Sequence, residues 1–228
     1  MKRKAILIAN TDGLPGTKKD VESIREFLLS RRGGHWYEQE ITSLINPSKH
    51  SLQTALSAAR EAKYDFVLMH FSGHGGQKIN DVILEINDKS EYVLDSHLFG
   101  IATRQVSIFD CCRAIVTPSL EARKEAVFAE SYSNSRNTYE RLIMSAAEQQ
   151  LKLYACSKGE TAGEDSKGGY YTQNLINSAS SARNDPTTFN YAHTIASSTV
   201  RVITNNKQNP EIISGRHLSS QNLIVSLP

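Results

Sequence analysis

The 228-residue sequence is short of several things, and each shortage removes a class of explanation. It holds only three cysteines, two of them adjacent at Cys111 and Cys112. An odd number without paired C-x-x-C spacing excludes a disulfide framework and a thiolate zinc site, and it suits a reducing, cytoplasmic compartment. It lacks an excess of either charge: 26 basic and 24 acidic side chains leave a net charge of +2. Neither nucleic acid nor an anionic membrane is therefore expected as a partner. No apolar run approaches the roughly 20 residues that cross a bilayer. The basic start, Met1-Lys2-Arg3-Lys4, leads into an apolar run that stops at Asn10-Thr11-Asp12, so no secretory leader is expected. Repeats and low-complexity blocks are also missing.

What remains is the composition of a soluble folded domain, 39% hydrophobic and 22% charged, of a length that one core can organise. Residues 5–9, 65–71, 105–109 and 151–156 are short, nearly continuous apolar runs, the pattern of strands buried on both faces. A partly exposed strand is expected over 36–41 and a last one over 222–227. Between them lie helical spacings. Val21, Ile24, Phe27 and Leu28 recur after Asp20 and stop at Gly33-Gly34, and Leu52, Leu56 and Ala59 mark a helix over 48–63. A short helix is read over 96–101, and longer ones over 171–182 and 192–204. The alternation predicts an α/β fold, a three-layer αβα sandwich on a mainly parallel sheet of about six strands. The polar stretch 113–138 reads as a long exposed loop.

In such a sheet, chemistry collects where the strands end. Two motifs fall there: His70-Phe71-Ser72-Gly73-His74-Gly75-Gly76, and Ile108-Phe109-Asp110-Cys111-Cys112-Arg113. A histidine and a cysteine at consecutive strand ends can face each other across one crevice. That is what thiol nucleophilic catalysis needs: a sulfur to attack a carbonyl and an imidazole to take its proton. The backbone N–H groups of Gly75 and Cys112 are candidate donors to the oxyanion. Taken singly, either residue reads more simply as a satisfied polar group or a small buried hydrophobe; the ordered pair is what points to catalysis.

The Ser-Gly-His-Gly-Gly and Asp-Cys-Cys-Arg blocks resemble those of caspases and metacaspases, which makes His74 and Cys112 the catalytic pair. The resemblance extends to Leu14-Pro15-Gly16-Thr17-Lys18-Lys19-Asp20, to Ala155-Cys156, to Glu160-Thr161-Ala162-Gly163-Glu164, to Gly169-Tyr170-Tyr171-Thr172 and to Gln208-Asn209-Pro210. It covers most of the chain and implies one caspase-like domain over 1–228. A large-subunit-like part would span 1–112, an intersubunit loop 113–141 and a small-subunit-like part 142–228. Arg113 stands where metacaspases carry histidine. The acidic residues that bind calcium in those enzymes are thin and scattered here, at Asp81, Glu85 and Asp88, and no metal or cofactor is expected.

By the same resemblance Asp20, Ser72 and Asp110 form the S1 pocket. Two carboxylates there would accept arginine as a bidentate partner, with lysine second, and repel aspartate. Asp20 also fits a plain helix N-cap. A peptidase of that specificity would find Arg123, Lys124, Arg136 and Arg141 in its own loop as self-cleavage sites. The expected partners are protein or peptide substrates with Arg or Lys at P1, and an activating or inhibiting protein in trans. Small prokaryotic relatives imply a role in antiviral defence or regulated cell death. The alternatives are a catalytically weak caspase-like binding or scaffold module, and a flavodoxin-like phosphate binder. For the latter, Gly13, Gly16, Thr17 and Lys18 have the wrong spacing for a phosphate loop.

Overall fold

A computed structural model describes residues 1–115, 134–181 and 184–228. In chain order the elements are β1 (Arg3–Ala9), α1 (Pro15–Leu29), β2 (Ile41–Ile45), α2 (Lys49–Glu61), β3 (Phe66–Ser72), β4 (Gly75–Lys78), β5 (Asp81–Glu85), β6 (Tyr92–Leu94) and β7 (Arg104–Asp110). They continue as α3 (Asn134–Ser145), β8 (Gln149–Tyr154), β9 (Glu164–Asp165), β10 (Gly168–Gly169), α4 (Tyr170–Ser180), β11 (Thr187–Thr188), α5 (Phe189–Ile203), β12 (Glu211–Ile213) and β13 (Ile224–Ser226).

The central sheet has six strands in the order β12-β8-β7-β3-β1-β2. All neighbours are parallel except β12, which runs antiparallel to β8 at the edge. Strand alternation divides the core in two. Leu68, Val106 and Ile108 face α1, α3, α4 and α5, through Ile24, Leu28, Ile143, Leu175 and Val200. Val67, Met69 and Phe109 face the other way, toward Leu52 and Leu56 of α2 and toward Val82 and Leu84 of the small β4-β5-β6 sheet. The αβα sandwich expected from the sequence is the fold found.

Several boundaries differ. Helix α1 begins at Pro15, with Leu14 at the N-cap and proline in the first turn, where its missing N–H costs nothing. Asp20 is thus well inside the helix and is not a cap. The strand expected over 36–41 is displaced to Ile41–Ile45. Trp36 instead turns inward, 2% exposed, packing on Phe66 and on the Arg3 guanidinium. The loop expected to run through residue 138 gives way to α3 from Asn134. The sixth sheet strand is β12; β13, in the segment expected to supply a last strand, pairs with β11 outside the main sheet. No helix is long and apolar enough to cross a membrane among the described residues.

Candidate active site

On β3 and β7 the register pairs Ser72 with Asp110. His70, Ser72 and Asp110 share the face covered by α1 and α4, because alternate residues of a strand point the same way. Two residues past each of these strand ends come His74 and Cys112. Both line a cavity of about 190 Å³ with Leu14, Thr17, Ser72, Asp110, Gly163 and Glu164 among its walls. A larger groove of about 700 Å³ lies between α4 and α5, lined by Asn177, Asp185 and Tyr191. It includes neither member of the pair.

His74 Nε2 lies 2.6 Å from the Asp12 carbonyl oxygen. A carbonyl can only accept, so Nε2 carries the proton and Nδ1 is the nitrogen left to take one. The Cys112 thiol is half-buried, and its Sγ lies 3.7 Å from the Ala162 carbonyl, to which it donates. Burial pushes its pKa up, so at rest Cys112 is a thiol. Cys111 is 2% exposed and its pKa is raised well above the usual thiol range by burial. It packs with the α2-side core.

Gly75 opens β4. Glu85 N donates to His74 O at 3.1 Å, which makes 74 and 85 a hydrogen-bonded pair and 75 and 84 a non-bonded one. The Gly75 N–H therefore points away from β5. A side chain at this position would meet Cys111 Sγ at 2.7 Å and Cys112 O at 2.9 Å, so only glycine lets this strand approach the cysteine turn so closely.

The proposed specificity residues fall into two layers. Asp20 is 1% exposed; its Oδ2 accepts from Ser72 Oγ at 2.6 Å and its Oδ1 from Gly169 N at 2.9 Å. It sits behind Ser72 and is not a wall of the cavity. Asp110 is a wall. Its Oδ2 accepts from both Thr172 N (2.9 Å) and Thr172 Oγ (2.7 Å), and Thr172 Oγ is 3.3 Å from His70 Nε2. Burial lifts Asp110 to about 6, and burial together with the neighbouring Asp110 charge pushes Asp20 well above the usual carboxylate range. His70, wholly buried, is pushed down to about 3, so it is neutral.

Glu164, in a segment that carries the family resemblance, is a site residue that the sequence does not mark. This carboxylate lines the same cavity, is only partly buried, and accepts a hydrogen bond from the Gly16 backbone. Its pKa is raised by burial and, after that, by Asp110. Gln208 holds the segment in place: its amide donates to Ala155 O at 2.9 Å and accepts from Gly163 N at 2.9 Å. Nothing in single-residue reasoning marks a glutamine 44 positions downstream as the support of a pocket wall; only the Gln-x-Pro resemblance pointed at it.

Arg113 is buried beneath the cysteine turn. It donates to Cys156 O (3.0 Å), Glu211 Oε2 (2.5 Å) and Gln77 Oε1 (3.2 Å), and its guanidinium lies 4.3 Å from the Tyr154 ring centroid. Of the loop residues, Arg136 and Arg141 belong to α3. Arg136 is bonded to both Glu40 oxygens at 2.7 and 2.6 Å and paired with Glu140 at 2.9 Å. Arg123 and Lys124 lie outside the described residues. Among the described residues no three His, Cys, Asp or Glu side chains converge as a metal site.

A three-layer sandwich with a thiol and an imidazole at adjacent strand ends is the architecture of caspase-type cysteine peptidases. A caspase-domain family model matches residues 2–219, and the chain belongs to that family. Its fold is similar to that of a protein from Geobacter sulfurreducens (15% identity, TM-score 0.63, covering 97% of each chain). It is similar too to caspase-1 from Spodoptera frugiperda (13% identity, TM-score 0.63, covering 92% of this chain and 85% of that one). No curated protein sequence matches the chain.

Proposed function

We propose that this protein is a cysteine endopeptidase that cleaves proteins after arginine, and after lysine second, with His74 and Cys112 as its dyad. The observation that carries the reading is one cavity that His74 and Cys112 share with two carboxylates, Asp110 and Glu164. In the proposed cycle the Cys112 thiol turns from Ala162 O and gives its proton to His74 Nδ1. Sulfur attacks the scissile carbonyl carbon, and the oxyanion is held by the N–H groups of Gly75 and Cys112. The C–N bond breaks and the leaving amine takes the proton from His74. Water then attacks the thioester while His74 accepts its proton, the C–S bond breaks, and the acid product leaves a free thiol.

A P1 guanidinium in the cavity would meet the Glu164 carboxylate and the Oδ1 of Asp110, whose Oδ2 is already committed to Thr172. Self-cleavage is assigned to Arg123 or Lys124 rather than to Arg136 or Arg141, because α3 holds the latter two in hydrogen-bonded helix rather than extended backbone. An intracellular site of action, a regulator in trans and a role in antiviral defence or regulated cell death belong to the same proposal. The test is hydrolysis of fluorogenic peptides with Arg, Lys or Asp at P1 by wild type, Cys112→Ala and His74→Ala. Arg turnover lost in both variants supports the reading; turnover that survives Cys112→Ala, or a preference for Asp, overturns it.

A further inference from the structure

We infer that Asn46, the residue that follows β2 and is not among the described walls of the cavity, is a positioning residue for the His74 imidazole; this rests on the dyad reading above. The imidazole is held by a backbone oxygen, that of Asp12. A backbone acceptor is only as well aimed as the turn that carries it, and this turn, residues 10–13, lies between β1 and α1. Among the described residues both oxygens of the Asp12 carboxylate are buried without a hydrogen-bond partner, so none of these holds the turn through the Asp12 side chain.

Bonds from Thr17 Oγ to Asn10 O (2.9 Å) and from Leu14 N to Thr11 O (3.3 Å) hold the ends of the turn, and two asparagines fix the residues next to the Asp12 carbonyl. Asn10 Oδ1 accepts from Asp12 N at 3.1 Å. Asn46 faces Thr11 as a reciprocal pair. Its Oδ1 accepts from Thr11 N at 2.9 Å, and its Nδ2 donates to Thr11 Oγ at 3.0 Å. Asn46 is itself fixed, because its own N–H donates to Ala9 O at 2.8 Å as the β1-β2 ladder ends. Its φ of 46° lies in the left-handed region, which asparagine tolerates far better than most residues. An asparagine that merely ended a strand would meet the φ requirement alone. The paired bonds to the residue immediately before Asp12 set the direction of the carbonyl, and through it they select the Nε2–H tautomer that leaves Nδ1 to Cys112.

The variants follow from this geometry. Asn46→Gly keeps the left-handed backbone and removes the amide. Asn46→Asp keeps an acceptor for Thr11 N and also tolerates the backbone. Thr11→Val removes the hydroxyl that accepts from Asn46 Nδ2 and keeps the backbone N–H that Asn46 Oδ1 accepts. In Asn46→Gly, kcat on an Arg peptide should fall about ten-fold or more, as expected for a misdirected catalytic group. KM should hold, and Asn46→Asp should recover most of the loss in kcat. A second readout does not depend on turnover: the slowly exchanging His74 Nε2–H proton in the 15N–1H spectrum should be present in wild type and Asn46→Asp and lost in Asn46→Gly. If Asn46→Gly is poorly folded, Thr11→Val carries the same test. Wild-type kcat together with a retained Nε2–H proton in the variants overturns the inference and leaves the dyad standing. Turnover that persists in Cys112→Ala overturns the dyad, and this inference with it.

Discussion

Ser72 and Asp110 lie opposite each other in the β3-β7 ladder, and each is followed two residues later by one member of the proposed dyad. Both cysteines touch the cavity, but Cys112 is half-buried while Cys111 is buried in the α2-side core. Cys112→Ala should lower turnover of an Arg peptide by at least about a thousand-fold, the scale seen when a covalent nucleophile is removed. Cys111→Ala should leave kcat within a few-fold of wild type, since that thiol packs in the α2-side core. Active-site titration with a thiol-directed inhibitor checks both; labelling of Cys111 in the Cys112→Ala protein would contradict the assignment.

The two layers of carboxylates predict different losses. Glu164→Gln removes a charge from a cavity wall and should raise KM for Arg peptides about ten-fold, within the range of one charge-assisted hydrogen bond, with kcat nearly unchanged. Asp20→Asn places an amide against two donors, Ser72 Oγ and Gly169 N, and should lower Tm as well as activity. Equal effects of the two substitutions on KM, with no change in Tm, would show that the layering has no functional meaning.

Acid should weaken the grip on a cationic side chain. Asp110, raised by burial to about 6, is ionised at pH 7.5 and takes up a proton as pH falls through that value. KM for Arg peptides should then rise, while a peptide with a neutral P1 residue shows no such limb. Thr172 Oγ donates to the ionised form and so holds this pKa down. Thr172→Val should move the acid limb to higher pH by about one unit, the equivalent of 1.36 kcal/mol. A limb that stays put in the variant would separate Asp110 from the titration.

Arg113 ties the cysteine turn to β4, to the end of β8 and to β12 through three hydrogen bonds and the Tyr154 ring. Lysine cannot span that fork or stack on the ring. Arg113→Lys should cost about 2 kcal/mol, discounted for the solvent that reaches Glu211, or about 4–8 °C in Tm. Urea melts and thermal scans measure this directly, and a Tm within 1 °C of wild type, a shift worth at most about 0.5 kcal/mol, would refute it.

The buried strands β1, β3, β7 and β8 were legible because parallel strands covered on both faces need unbroken apolar runs. The small β4-β5-β6 sheet was not. Gly75-Gly76 and Asp81 have poor strand propensity, and Val82, Leu84 and Val93 are ordered by packing under α2 rather than by local pattern. The Trp36 segment misled for a related reason: an aromatic run suggested a strand, but the Arg3 and Phe66 contacts fold the ring into the core. Of the site, the side chains with reactive chemistry could be named from the chain. The Asp12 carbonyl could not, because a backbone atom has no residue type to betray it. Nor could the retreat of Asp20 behind Ser72, which depends on where α1 starts.

Among the described residues no wall of the cavity falls between Cys112 and Ala162, and the ladder that joins the two halves of the chain in the central sheet is the parallel one between β7 and β8. The halves are therefore separable by chemistry as well as by sequence. One brings the proposed nucleophile, the proposed base and Asp110; the other brings Glu164, Gly169 and Thr172. Co-expressed as two polypeptides, they are suited to fragment complementation, in which light or peptide hydrolysis reports that two fused partners have met. Exchanging the second half between relatives would change the Glu164 wall of the pocket while Asp110 and the proposed dyad stay in the first.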